Sequence, residues 1–166
     1  MKDFQVNTQR IDPYKNFKFT VVWDKVVVAG VSKVSALKRT TEVVSHRSGG
    51  DISTPRHQPA ASKFEPVTLE RGITFATEFR DWASLVYSAE GDGGVSLAKF
   101  RKDVTINLHN LQGTIVKSYT LYRCWVSEYV ALPELDANAN AVAFEHIVLQ
   151  NEGHEHDRGV VEVLET

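Results

Sequence analysis

The sequence predicts a mainly β protein: an antiparallel β-barrel or sandwich with one flanking α-helix. Three observations carry this. About seven segments alternate apolar and polar residues with the two-residue period of a strand. One segment alone carries the 3.6-residue period of an amphipathic helix. Strands and helices do not alternate along the chain, so no βαβ crossover is implied.

Residues 1–13 read as an N-terminal arm ending at Asp12-Pro13. Asn16–Trp23 places Phe17, Phe19 and Val21 on one face, as a half-buried strand does. Asp24-Lys25 is a two-residue turn without the glycine such turns favour. Val26–Leu37 is expected as a second strand, with Gly30 at a bulge or close approach. Arg39–His46 is a third. Residues 48–62 hold two Gly and two Pro with little to bury, and are expected as one long loop. Phe64–Arg71 is a fourth strand, ended by Gly72.

The helix is expected at 77–89. Thr77 would cap it, Glu78 and Asp81 suit its first turn, and Phe79, Trp82, Ala83 and Val86 form its apolar face. Gly91-Asp-Gly-Gly94 ends it, and Ser96–Phe100 is read as a short helical turn. Asp103–Asn110 turns Val104, Ile106 and Leu108 inward. Thr114–Tyr129 is a strand too long to stay straight without a bend or bulge. Ala141–Gln150 is the last major strand, and 151–166 an acidic tail with a short strand near 160–163.

Two strands are apolar on both faces. In 114–129, Ile115, Tyr119, Leu121 and Trp125 oppose Val116, Tyr122, Cys124 and Val126. In the last strand, Ala141, Ala143, Ile147 and Leu149 oppose Val142, Phe144 and Val148. A solvated sheet needs one apolar face, so the surplus points to cover by the helix or by another subunit.

Length and composition suit one domain over 1–166, with 42% hydrophobic and 24% charged residues. The formal net charge is −2, which gives no case for nucleic-acid binding. Its distribution is uneven. Residues 1–63 hold 11 Lys/Arg and 5 Asp/Glu, whereas 134–166 hold 1 and 8. Such halves can attract each other within a fold or between copies, the alternative being solvated surface that is merely segregated. No apolar run reaches the ~20 residues of a membrane span, the start lacks a secretory core, and Cys124 is the single cysteine. These features point to synthesis and assembly in a reducing cytoplasm, with release by lysis open.

Residue patterns for chemistry are weak. His154-Glu-His156 places two imidazoles on one strand face, but the segment is polar and lacks a third ligand, so a solvated tail is expected and no metal or other cofactor. Cys124 lies inside a strand, as a small buried hydrophobe. Leu69-Glu-Arg-Gly72 is read as an exposed strand end anchored by an ion pair rather than an acid–base couple. No Gly-x-Ser-x-Gly elbow or Walker loop occurs. Asp136-Ala-Asn-Ala-Asn140 suits a polar corner.

Several segments together resemble one family. They are Asp12-Pro-Tyr-Lys-Asn-Phe-Lys-Phe19, Gly30-Val-Ser-Lys-Val-Ser35, Leu69-Glu-Arg-Gly72, Phe79-Arg-Asp-Trp82, Arg101-Lys-Asp103 and the block Cys124–Leu149. In this order they resemble the tail-tube proteins of contractile phages and contractile injection systems, which are similar to the type VI secretion tube protein Hcp. The resemblance implies a β-barrel with a flanking helix, homohexameric rings stacked head to tail, and no enzymatic activity. It implies sheath, baseplate and tube-initiator proteins as partners, DNA or a protein effector as lumen cargo, and no direct membrane insertion. The expected setting is a phage tail or phage-tail-like particle. On this reading Asp51, Ile52, Thr54 and Arg56, with Asp136, Asn138 and Asn140, are candidate inter-subunit contacts, and Phe79, Trp82 and Val86 dock the helix. A tube initiator or adaptor is the alternative within the family. A small β-barrel enzyme or ligand-binding module is the rival outside it.

Overall fold

The computed structural model describes residues 18–50, 54–87, 99–139 and 141–161. In chain order the elements are β1 (Phe19–Trp23), β2 (Val26–Val28), β3 (Val31–Val34), β4 (Arg39–His46), β5 (Arg56–Phe64), β6 (Val67–Gly72), α1 (Glu78–Ser84), β7 (Lys102–His109), β8 (Ile115–Val130), β9 (Phe144–Gln150) and β10 (Gly153–His156). The fold is mainly β, with antiparallel pairing throughout.

The strand path runs β2-β1-β7-β8-β9-β6-β3, with β10 also on β8. Strand β8 is shared between two layers. Its first part pairs with β7 and β10, and its second part, from Trp125 onward, pairs with β9. The path ends on β2 and β3, which are consecutive in the chain but not paired with each other. Of the two architectures expected, a sandwich folded about β8 therefore fits.

The core lies between the layers. Val21, Trp23, Val104, Ile106, Leu121 and Cys124 come from one side, and Val67, Leu69, Val126, Ile147 and Leu149 from the other. Each such side chain, fully buried, contributes ~1.5–3 kcal/mol. Phe79 and Trp82 close one end from α1, with the Trp82 ring tilted 56° against Trp23 at 4.8 Å between centroids. The Trp82 indole N–H donates to Phe100 O at 2.7 Å.

The long strand bends where it changes layer. Arg123 has φ 51°, and three β7 residues, Lys102 to Val104, lie opposite four on β8, Leu121 to Cys124. One extra residue in a strand reverses the facing of all that follow. That corrects the faces read from the sequence: Leu121 and Cys124 were placed on opposite sides, yet both are buried in the same core. The Asp103 carboxylate accepts the Arg123 backbone N–H at 2.8 Å, so the bulge keeps its amide satisfied.

Other expectations are also corrected. The strand expected over 26–37 is two strands, separated at Gly30 (φ 75°), which carries the chain from one layer to the other. The helix is shorter than 77–89, and the Thr77 hydroxyl donates to Asp81 Oδ2 at 2.8 Å instead of capping a backbone amide. The largest change concerns the loop expected at 48–62. Strand β5 occupies Arg56–Phe64 and pairs with β4 to form a separate two-stranded sheet. Pro59 is tolerated because it sits on an edge strand. The tail expected over 151–166 also contributes a strand: β10 lies at 153–156, on β8, and residues 162–163 of the short strand expected near 160–163 lie outside the described residues. The N-terminal arm, the Gly91–Gly94 terminator and Ser96–Ala98 lie outside the described residues.

Candidate assembly surfaces

One end of the sandwich is organised by a buried cation. Val67, Leu69 and Arg71 share the inward face of β6, and Glu145, Ile147 and Leu149 that of β9. Arg71 is fully buried. Its Nε donates to Glu145 Oε1 at 2.6 Å, Nη1 to Glu78 Oε2 at 2.8 Å and Nη2 to Ala76 O at 2.8 Å. The guanidinium carbon lies 4.2 Å from the Phe79 ring centroid. The Tyr129 hydroxyl donates to Glu145 Oε2 at 3.1 Å. Burial works against the charged guanidinium, but the hydrogen bonds it donates to Glu78 and Glu145, with their charges, outweigh it and leave the Arg71 pKa raised. The Arg71 hydrogen bond, then a backbone hydrogen bond, hold Glu78 below the ordinary carboxylate range. Burial, then the Glu145 charge, push the Tyr129 hydroxyl up.

The sequence reading of Leu69-Glu-Arg-Gly72 as an exposed end is therefore corrected. Adjacent strand residues face opposite ways: Glu70 turns outward to Lys33 at 3.2 Å while Arg71 enters the core. The alternation Val67, Leu69, Arg71 was the signal that could have placed it.

This network fixes the segment after β6. Arg71 holds Ala76 O, and Ile73 N–H donates to Ala143 O at 3.0 Å. Between these anchors Phe75 stands fully in solvent, at 105% relative exposure. Ile73, Phe75, Tyr129 and Ala131, with Arg80 and Glu145, line an open hollow of about 320 Å3. Leu132, Leu135, Val142 and Phe144, on the neighbouring chain segments, are also exposed. In the same region Asp136 and Asn138 form a turn, in which Asp136 Oδ1 accepts the Asn138 amide at 2.9 Å. Asn140 lies outside the described residues.

The opposite end of β6 carries the hairpin. Glu65 N–H donates to Lys38 O at 3.0 Å, and Ser35 N–H to Thr68 O at 2.9 Å, so β4 and β5 prolong the ribbon of β3 and β6 beyond Val67. Every residue of β4 and β5 except Phe64 is exposed. Phe64 anchors the base against Gly153 and the His154 ring. Thr54 and Arg56 lie near the hairpin tip and are exposed; Asp51 and Ile52 are outside the described residues. Within one chain, the Thr54–Arg56 and Asp136–Asn138 candidates thus sit at opposite ends. Phe79 and Trp82 are buried, while Val86 falls in the turn after the helix and is half-buried.

His154 and His156 pack on Phe64 and Tyr119 rather than converging. Among the described residues no three His, Cys, Asp or Glu side chains group as metal ligands, and no helix is long and apolar enough to cross a membrane. Burial, then the Asp103 charge, push the Cys124 thiol up to about 12, which removes the thiolate at neutral pH.

The sandwich thus presents a projecting hairpin at one end and an open hollow of mixed polar and apolar lining at the other. Residues 15–155 match the T4-like virus tail tube protein gp19 family, and the chain belongs to it. Three solved structures share the fold. A chain of the anti-feeding prophage tube-terminating cap matches with TM-score 0.75 at 19% identity, over 95% of this chain and 99% of its own. One from the anti-feeding prophage baseplate gives 0.73 at 21%, over 89% and 97%. One from the sheath–tube complex of the extracellular contractile injection system PVC gives 0.72 at 22%, over 87% and 91%. Hcp1 from Flavobacterium johnsoniae is more distant, at 0.50 and 13%, over 85% and 95%. No curated protein matches the chain.

Proposed function

We propose that this chain is the main inner-tube protein of a contractile tail or contractile injection system. Six copies form a ring, rings stack head to tail, and the hollow tube carries DNA or a protein effector. It works as one domain, by assembly and without catalysis, with sheath, baseplate and tube-initiator proteins as partners. Assembly takes place in the cytoplasm, and the particle can then be released.

The observation that carries this reading is the family match over 15–155. The hairpin supports it, because an exposed ribbon with open edges calls for a partner. A second reading is an adaptor or initiator at the tube end. Its support is the similarity to chains from cap and baseplate structures. Electron microscopy of the purified full chain tests both: self-stacked hollow tubes support the main tube protein, and single rings that need a template support the adaptor.

A further inference from the structure

We infer that the β9–β10 turn pins the root of the β4–β5 hairpin, and that Asn151 is the positioning residue that fixes the angle at which the hairpin leaves the sandwich. The inference concerns a single chain; what the angle means for assembly rests on the self-assembly reading.

The first support is a break in the ribbon. Strands β3 and β6 pair as far as Val34 and Leu69, and Ser35 N–H still reaches Thr68 O. Pairing resumes at Arg39 and Phe64. Ala36, Leu37 and Pro66 lie between, outside any strand. Pro66 has no N–H to donate. The bond from Glu65 N–H to Lys38 O spans this joint. A two-stranded ribbon joined so sparsely would pivot as a unit if nothing else held it.

The second is the grip on the joint from the side. Asn151 Nδ2 donates to Glu65 O at 3.0 Å, across 86 residues of sequence. A Cβ at Gly153 would meet the Phe64 ring at 3.6 Å, so the ring lies against that glycine. The His154 ring meets Phe64 edge-on, with centroids 5.2 Å apart. Residues 151, 153 and 154 thus hold the last residue of β5 and the one after it.

The third is the anchoring of the turn itself. Here the chain crosses from β9, in one layer, to β10, in the other. Glu152 N–H donates to Tyr122 O at 3.0 Å, and the Glu152 carboxylate pairs with Arg123 at 2.9 Å. Arg123 is the residue of positive φ at which β8 changes layer. The turn is therefore fastened to the bend of β8 on one side and to the hairpin root on the other.

The fourth is local cost. Asn151 Oδ1 is buried and accepts no hydrogen bond among the described residues. A buried acceptor without a donor lowers stability. What offsets it is the bond to Glu65 O, which acts on the hairpin and not on the core. A hairpin held at one angle meets a partner preformed, with less freedom to lose on contact.

Pulsed electron resonance tests the pin. Spin labels at Val44→Cys on the hairpin and Val27→Cys on the sandwich, both exposed positions, report the distance between them. Cys124 is fully buried and stays unlabelled. The labelled chain is diluted into unlabelled protein, so that distances within one chain are read. The parent should give one narrow distribution. Asn151→Leu, which removes both polar atoms, should roughly double its width, with the thermal midpoint unchanged or raised. His154→Ala, which removes the ring on Phe64, should widen it less, and decides the matter if Asn151→Leu does not fold. A broad distribution in the parent would overturn the inference, as would an unaltered width in every variant that folds. A thermal midpoint that falls in step with the widening would also overturn it, because Asn151 would then hold the whole fold rather than the hairpin angle. None of these readings requires tubes, so failure here leaves the tube reading intact.

Discussion

Arg71 Nε meets Glu145 Oε1 at 2.6 Å, with both side chains buried between β6, β9 and α1. The pair joins the two strands that frame one pole to the helix that closes it. Removing one partner leaves a buried charge without compensation. Arg71→Ala should therefore cost ~3–5 kcal/mol, read by urea denaturation. A loss below ~1 kcal/mol would mean the pair behaves like a surface ion pair.

The Glu78 carboxylate gives this network a pH dependence. Arg71 holds its pKa below the ordinary value, so the folded state binds the proton more weakly than the unfolded one. The contribution is complete above the unfolded pKa, ~4.3, and is lost as pH falls through the lower folded value. Glu78→Gln should flatten the acid limb of the stability curve and leave its shape above pH ~6 unchanged. Parallel acid limbs in the two proteins would contradict this.

Trp82 joins the helix to the core through Trp23 and Phe100 O. Trp82→Ala should cost ~3–5 kcal/mol, measured as the shift in denaturation free energy. A variant as stable as the parent would show that the helix contributes little to the core.

The β1–β2 turn holds two non-glycine residues in the left-handed region, Asp24 at φ 52° and Lys25 at φ 63°. Asp24 also accepts a hydrogen bond from Lys102 and should be kept. Lys25→Gly removes the side-chain penalty of this conformation, ~1–2 kcal/mol, and leaves that ion pair in place. The variant should be neutral to ~1 kcal/mol more stable by thermal or urea unfolding. A clear destabilisation would show that the Lys25 side chain makes a compensating contact.

The hairpin can be shortened without touching the core. Thr41 and Ser62 face each other, with their hydroxyls 2.7 Å apart, and an Asn-Gly turn can join them. The shortened chain should keep its thermal midpoint and lose tube growth, read by sedimentation and microscopy. In the full-length chain, raised salt should weaken assembly as it screens the basic hairpin from acidic residues. Normal tubes from the shortened chain would contradict a role for the hairpin in stacking.

Strand alternation made much of the sandwich legible. It placed Val21, Val104 and Ile106 inward, and all three are buried. Strand length implied a bend in β8, but not its place, because nothing in the side chain of Arg123 announces a positive φ. Strand β4 was expected at Arg39–His46, as found, but its partner β5 escaped for a physical reason. A ribbon exposed on both faces leaves no hydrophobic period in half its sequence, and Pro59 reads as a loop signal where an edge strand accepts it. Arg71 was misread because charge suggests exposure, although its parity with Leu69 points inward. The exposed residues around Phe75 are scattered over three chain segments that the β6–β9 and β8–β9 pairings bring together.

The most direct measurement is negative-stain electron microscopy of the purified full-length protein, with size-exclusion chromatography alongside. Self-assembly as a tube protein requires six-fold rings or hollow tubes and a matching high-mass peak. A clean monomer at every concentration and salt would contradict it.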